Sequence, residues 1–199
     1  MFKKILFFVL NTLKAPHKAV ARSHGLTWVE ILVTFVILSL AVGYFTNLFT
    51  RQLGFWEVTY SAFIGIIIQL VIYALYIGIA LLILRALSVK VGYKNLSETF
   101  LTALIPIFII GLLYALPIDI METTATSVLI FNAVCVLING FLFFLGLRGR
   151  FSISKPKSAI VAVVVTLLLF IVPWLTYQKM TEVPGGVGSL PQYLAELTH

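Results

Sequence analysis

Charged residues are scarce in this sequence. They make up 11% of its 199 residues, against about 25% in soluble domains, while 61% of the residues are hydrophobic and the mean hydropathy is +1.09. A water-soluble fold of this length could not bury so much apolar surface. The composition therefore predicts an integral membrane protein, and the net charge of +7 is better explained by topology than by a nucleic-acid partner.

Cysteine and histidine are nearly absent too. The single cysteine, Cys135, lies inside an apolar run, so it can form neither an intrachain disulfide nor a Cys/His metal cluster. The three histidines, His17, His24 and His199, lie outside the long apolar runs, so neither a metalloprotease pair nor a Ser/His dyad can form at membrane depth. We therefore expect no metal site, no cofactor and no enzymatic activity.

Long apolar runs dominate what is present. Five stretches without Asp, Glu, Lys or Arg each hold at least 20 residues, which at about 1.5 Å per helical residue is enough to cross about 30 Å of hydrocarbon. Only helices satisfy their own backbone hydrogen bonds there. We predict an all-α, polytopic transmembrane helical bundle with five spans, within residues 25–178. The stretches are 31–50, 58–84, 99–118, 123–147 and 158–178.

The third stretch is the least regular of the five. Thr102 and Pro106 interrupt it, and Pro106 removes one backbone donor and frees the carbonyl of Thr102. We expect a helix kink at Pro106 in a full crossing, with a broken or re-entrant segment as the alternative.

Lysine and arginine are distributed unevenly between alternate loops. Residues 1–30, 85–98 and 148–157 hold 12 of the 14, and Arg51 and Lys179 are the other two. By the positive-inside rule, the N-terminus is predicted to be cytoplasmic and the C-terminus outside. The tail, residues 179–199, contains several Gly and Pro residues, which favour a flexible extracytoplasmic segment.

Residues 1–24 resemble the start of a signal peptide, with Lys3 and Lys4 before an apolar stretch. The stretch is short, however, and further basic residues follow it, so we expect the segment to be retained. As a helix it would be amphipathic and would lie in the headgroup region on the cytoplasmic side, ended or bent by Pro16. Its apolar face would comprise Phe2, Ile5, Leu6, Val9 and Leu13, and its polar face Lys4, Asn11, Lys14 and Lys18.

The loop before the fifth stretch carries Arg148, Arg150, Lys155 and Lys157 on either side of Phe151–Ile153. A compact basic patch with apolar anchors next to a span could bind anionic lipid headgroups or an acidic partner. Topology control alone would explain the same residues.

Polar residues inside the spans form the second candidate site. Asn132, Cys135 and Asn139 follow one another at helical spacing in the fourth stretch, and Gln69 lies near the middle of the second. Gln69, Asn132 and Asn139 could form an intramembrane polar seam for a solute or a proton relay. Alternatively, they make interhelical hydrogen bonds, worth roughly 0.5–2 kcal/mol each.

Two further features have structural interpretations. Glu30 stands where a carboxylate suits the first turn of a helix, or where it could pair with a basic residue of the N-terminal segment. Small residues four positions apart are predicted to let helices approach closely. These pairs are Ser39 and Gly43, Ser61 and Gly65, and Ala74 and Gly78.

Several short motifs have the layout of a known family. Leu13-Lys14-Ala15-Pro16 precedes the first span, Ala103-Leu104-Ile105-Pro106-Ile107 lies in the third, Phe144-Leu145-Gly146-Leu147-Arg148 ends the fourth and Lys157-Ser158-Ala159-Ile160 opens the fifth. With these motifs the chain resembles the Yip1-domain family of integral membrane proteins over roughly residues 5–177, and its short N-terminal region is similar to that of the prokaryotic members.

The resemblance implies five spans, a cytoplasmic N-terminus and a location in a prokaryotic cell membrane. Eukaryotic members engage Rab GTPases and vesicle machinery, usually through a longer N-terminal region than this chain has. Our leading hypothesis is a non-enzymatic multi-pass protein that organises membrane lipids or protein partners, including a second copy of itself, through its basic cytoplasmic face. The alternative is a small transporter with a polar path around Gln69, Asn132, Asn139 and the Pro106 kink.

Overall fold

The computed structural model describes residues 2–21, 27–51, 55–115 and 125–181, and this part of the chain is helical with short connections. The helices are α1 (Phe2–Lys14), α2 (Pro16–Ala21), α3 (Trp28–Arg51), α4 (Phe55–Ala86), α5 (Tyr93–Ala115), α6 (Ala125–Phe151) and α7 (Lys155–Thr181). The all-α prediction is confirmed for these residues. The predicted flexible tail begins at residue 179, but residues 179–181 form the end of α7. The remainder of the tail, from residue 182 onward, lies outside the described residues.

Among the described residues, three helical segments are long and apolar enough to cross a membrane. They are Val58–Ala86 in α4, Tyr93–Gly111 in α5 and Ile130–Phe151 in α6, and they overlap the second, third and fourth predicted spans. The described apolar part of α3, Trp28–Tyr44, is shorter. The structure therefore supports a membrane protein with three candidate spans.

The first two helices meet at Pro16. The first helix ends at Lys14 and the second begins at Pro16, where the fixed φ and the missing N–H of proline are tolerated. The expected break at this residue is confirmed. On α1, Phe8 and Thr12 are buried against the rest of the chain, while Leu6, Phe7, Leu10 and Leu13 are exposed.

Helix α3 begins with a reciprocal cap. The backbone N–H of Thr27 donates to Glu30 Oε2 at 2.7 Å, and the backbone N–H of Glu30 donates to Thr27 Oγ1 at 3.3 Å. This is the capping box that a Thr-x-x-Glu sequence can form, and it satisfies two donors that a helix start leaves unpaired. The first-turn interpretation of Glu30 is confirmed.

Helix α5 lies at the centre of the bundle. It packs against α3, α4 and α6 and also contacts α1 and α2, while α7 closes the far side by packing on α4 and α6. A chain of edge-to-face rings crosses these contacts, with centroid separations of 5.2 to 5.7 Å. Its members are Phe108, Phe35, Tyr73, Phe100 and Phe143.

Pro106 lies inside α5, which is assigned as one helix from Tyr93 to Ala115. Thr102 donates its hydroxyl hydrogen to the carbonyl oxygen of Glu98 at 2.7 Å, a bond that Ser and Thr often make within helices. The described part of the third span is therefore continuous rather than broken. The kink at Pro106 stays a prediction.

Two serines adopt left-handed backbone conformations at helix ends. Ser88 follows α4 with φ of 60°, and Ser152 follows α6 with φ of 52°. After Ser88, the backbone N–H of Val89 donates to the carbonyl oxygen of Leu84 at 2.8 Å, which closes the helix end in a Schellman-type pattern. Both turns use a serine where glycine would fit without a steric penalty.

We expect Ser88→Gly and Ser152→Gly each to raise the free energy of unfolding by about 0.5–1 kcal/mol, because glycine removes the cost of a Cβ in the left-handed region. Denaturation of the detergent-solubilised protein, followed by tryptophan fluorescence, measures the change. Ser154→Gly is the matched control, since Ser154 is outside the set of residues with positive φ. Equal stabilisation by all three variants would contradict the explanation.

Candidate functional site

The ends of the helices that the sequence assigns to the inner side lie together. Trp28 Nε1 donates to Ser97 Oγ at 2.8 Å and joins the start of α3 to the start of α5. Lys157 Nζ donates to the carbonyl oxygen of Leu87 at 2.7 Å and joins the start of α7 to the end of α4. We call this region, formed by α1, α2, the start of α3 and the turns at 87–92 and 152–154, the basic end.

A mostly buried ion pair ties α5 to α6 at the basic end. Arg150 Nη2 donates to Glu98 Oε2, with 12% and 10% of the two side chains exposed. The carboxylate lies in the second turn of α5. The guanidinium lies in the last turn of α6, where its positive charge also suits the helix dipole. The sequence analysis did not identify this pair, because the two residues are 52 positions apart.

The four basic residues predicted as lipid or partner contacts divide into two groups. Arg150 and Lys157 are engaged inside the protein by Glu98 and by the carbonyl oxygen of Leu87. Arg148 and Lys155 are exposed, and the Arg148 guanidinium lies 5.9 Å from the centre of the Phe144 ring. The predicted loop is therefore shorter than expected, since Arg148 and Arg150 end α6 and Lys155 and Lys157 begin α7. Of these four residues, Arg148 and Lys155 are the ones that can meet a ligand.

Helix α2 is seated in a groove that two glycines open on α6. Val20 is 1% exposed, and a Cβ at Gly146 would collide with both Val20 and Thr99. A Cβ at Gly149 would collide with Ala21. Sequence reasoning missed this contact, although the Gly-x-x-Gly spacing at the end of α6 was a visible signal for close helix packing.

Other cations at the basic end face outward. Close to them, α1 exposes the apolar side chains of Leu6 and Phe7, the latter to 67%. An exposed surface that combines cations with large apolar side chains suits the boundary between lipid headgroups and acyl chains. Among the residues whose burial the structure describes, the exposed basic residues are Lys3, Lys4, Lys14, Lys18, Arg85, Lys90, Lys94, Arg148 and Lys155.

The three residues of the predicted polar seam do not share one surface. Asn132 is exposed, whereas Asn139 is 1% exposed and Gln69 is partly buried. Gln69 lies on α4 and Asn139 on α6, and these two helices do not pack extensively on each other in the described part of the chain. Gln69 Oε1 and both amide atoms of Asn139 are buried without a hydrogen-bond partner among the described residues. A transport path through all three residues stays a prediction.

The small-residue motifs behave differently from one another. A Cβ at Gly43 would lie 3.5 Å from Ala62 Cβ, so α3 and α4 pack closely there. A Cβ at Gly65 or at Gly78 would meet nothing within 4 Å among the described residues. Close packing is thus confirmed at Gly43 and wrong for the other two glycines.

An apolar cleft lies between α3 and α4, away from the basic end. Its volume is about 250 Å³, and its lining comprises Leu40, Ala41, Tyr44, Thr59 and Ala62. The named lining of the cleft contains no Asp, Glu, Lys, Arg, His or Cys side chain.

Across residues 2–21, 27–51, 55–115 and 125–181, no cluster of three His, Cys, Asp or Glu residues could hold a metal ion.

We expect Glu98→Leu and Arg150→Leu each to lower the free energy of unfolding by about 3 kcal/mol, because each leaves an unpaired charge that is mostly buried. The double variant should lose less than the sum, since no charge is left alone. Chemical denaturation in detergent measures all three. Arg148→Leu, at an exposed position two residues away, should cost less than about 1 kcal/mol. Additive losses would show that the pair does not act as a unit.

Comparisons with known proteins found no relative. No family model, no curated protein and no solved structure matches the chain. The resemblance to the Yip1-domain family therefore rests on the sequence motifs alone and stays a prediction.

Proposed function

We propose that this chain is a non-enzymatic integral membrane protein with five spans, and that its cytoplasmic basic end organises anionic lipids. Three of the proposed spans are the segments in α4, α5 and α6 that are long and apolar enough to cross a membrane. The first and fifth spans are proposed to lie in α3 and α7. The Yip1-domain resemblance implies the same number of spans and the same cytoplasmic N-terminus. It also places the protein in a prokaryotic cell membrane.

The observation that supports lipid binding is the gathering of exposed cations on one end of the bundle. Hydrogen bonds from Trp28 and Lys157 and the ion pair of Arg150 hold the helix ends together. Arg148 and Lys155 remain exposed beside them. A cation near an anionic headgroup contributes roughly 1 kcal/mol, so a set of them favours anionic over neutral lipid.

The first helix gives this surface its apolar component. Its exposed side chains, Leu6, Phe7, Leu10 and Leu13, can enter the headgroup and acyl boundary while its lysines stay at the phosphate level. The buried Phe8 and Thr12 hold the helix against the bundle. In the proposal, α1 thus lies in the membrane interface as an amphipathic anchor, and a lipid surface is a better partner than an acidic soluble protein.

Replacing Arg148 and Lys155 together by glutamine should weaken anionic-lipid binding about 30-fold relative to neutral lipid, since two contacts of about 1 kcal/mol each are lost. Native mass spectrometry of the detergent-solubilised protein, with phosphatidylglycerol and phosphatidylcholine in equal amounts, gives the ratio of the two bound lipids.

Arg51→Gln with Lys179→Gln is the matched control for this experiment. It also removes two positive charges, but from the loops that the sequence assigns to the other side of the membrane. We expect the lipid ratio of this control to stay within about twofold of the unaltered protein. In the proposed topology about 30 Å of hydrocarbon separates the two sides of the membrane, which is more than a Debye length. An equal drop in both variants would mean that net charge, not the basic end, selects the lipid.

The proposed topology predicts a definite labelling pattern. In a Cys135→Ser background, single cysteines at 53, 121 and 190 should react from outside with a membrane-impermeant thiol reagent. Cysteines at 2, 90 and 154 should react only after the membrane is permeabilised, because they fall in the segments rich in Lys and Arg. Labelling of residue 190 from the same side as residue 2 would rule out five spans.

A further inference from the structure

The side chain of Asn139 is the most isolated polar group in the described part of the bundle. It lies on α6, is 1% exposed, and neither its Nδ2 nor its Oδ1 has a hydrogen-bond partner among the described residues. A primary amide offers two donors and an acceptor. Leaving all of them unpaired in a protein interior is unfavourable, and in a bilayer no bulk water can reach them.

A second group without its helical partner lies on the central helix α5. Pro106 has no backbone N–H, so the carbonyl oxygen of Thr102 cannot accept the usual hydrogen bond from four residues ahead. Thr102 is fully buried and Pro106 is buried too. The hydroxyl of Thr102 donates to Glu98, so it does not pair with the carbonyl of its own residue.

The register of α5 and α6 places Asn139 opposite Pro106, the residue toward which the carbonyl oxygen of Thr102 points along the helix axis. The helices are antiparallel: Glu98 pairs with Arg150, Thr99 packs at Gly146, and the rings of Phe100 and Phe143 lie 5.4 Å apart between centroids. Residue numbers therefore fall along α6 as they rise along α5.

The same register can be extended by two helical turns. Pro106 is seven residues after Thr99, and Asn139 is seven residues before Gly146. Seven residues are close to two full turns, so Pro106 shares a face of α5 with Thr99 and Asn139 shares a face of α6 with Gly146. Both faces are turned toward each other at the Thr99 and Gly146 contact. The unpaired amide thus lies opposite the gap in the hydrogen bonding of α5.

We propose that Asn139 and the carbonyl oxygen of Thr102 form a binding site for a water molecule between α5 and α6. The water accepts a hydrogen bond from Asn139 Nδ2 and donates to the Thr102 carbonyl oxygen and to Asn139 Oδ1. Three polar partners are typical of a buried water. Ordered water is also one of the means by which membrane helices satisfy a carbonyl that proline has freed.

The chemistry of the site selects a small neutral ligand. Asn139, Thr102 and Pro106 carry no charge, so an ion would enter without a counter-charge and at a high desolvation cost. The site is separate from the basic end, and it gives Asn139 a role that does not require a transport path through Gln69 and Asn132.

Denaturation of Asn139→Leu, Pro106→Ala and the double variant in detergent tests the proposal. With Pro106 present, Asn139→Leu should raise the unfolding equilibrium constant about 10-fold, because the Thr102 carbonyl oxygen loses the water molecule that donates to it. With Pro106→Ala, the new backbone N–H satisfies that carbonyl, and Asn139→Leu should leave the constant unchanged or lower it. An Asn139→Leu change of the same size and sign in both backgrounds would overturn the proposal.

Asn132→Leu is the matched control for the cycle. Asn132 lies on the same helix, but it is exposed, so its effect should be the same in the Pro106 and Pro106→Ala backgrounds. A Pro106 dependence equal to that of Asn139 would show that proline acts on α6 as a whole, and would overturn a local site.

A measurement on the unaltered protein does not depend on the stability of any variant. With the side chain of Asn139 labelled with ¹⁵N, solid-state NMR in lipid should detect magnetisation transfer from water protons to Nδ2. The backbone amide of Phe143, which is fully buried one turn nearer the basic end, should show none at the same mixing time. Absence of transfer at Asn139 would overturn the proposal.

Discussion

The packing of one central helix, α5, determines where the other elements of the bundle lie. Phe100 and Phe108 carry the edge-to-face ring contacts to α3, α4 and α6, each worth about 0.5–1.5 kcal/mol beyond the area it buries. Lipid is as apolar as leucine, so the hydrophobic effect cannot drive such helices together in a bilayer. Ring geometry and close packing have to supply that specificity, and α5 takes part in three of the four edge-to-face ring contacts described above.

The same helix organises the basic end. Three consecutive residues near its start make the contacts. Ser97 accepts the hydrogen bond from Trp28, Glu98 pairs with Arg150, and Thr99 packs at Gly146. A single turn of α5 therefore fixes the start of α3 and the end of α6, together with α2, which lies in the groove at Gly146. The exposed cations of the described residues lie on helices or short turns that meet at the basic end, so the contacts of this turn of α5 also help to fix their positions.

Local sequence signals predicted local features. Pro16 marked the break between α1 and α2, and Glu30 formed the first-turn cap, because each acts within four residues of itself. Spacing alone could not decide packing: Gly43 lies at a contact, while Gly65 meets open space on its helix. Which face of a helix meets a neighbour depends on long-range register. For the same reason the sequence predicted a basic loop but could not show which of its cations pair inside the protein and which are exposed, since the partner of Arg150 is on another helix.

That division has a consequence for what a basic loop beside a membrane can do. A cation held by the protein, such as Arg150, loses its freedom to bind lipid, yet it keeps the helix ends in register and so holds its exposed neighbours in place. A loop with only free cations would attract anionic lipid through net charge, with no fixed geometry. A loop with only paired cations would have no charge available to bind anionic lipid. In this protein the four cations lie in the last turn of α6 and the first turn of α7. Because Arg150 and Lys157 are anchored while Arg148 and Lys155 are exposed, these helix ends combine a fixed position with available charge, which a selective headgroup site requires.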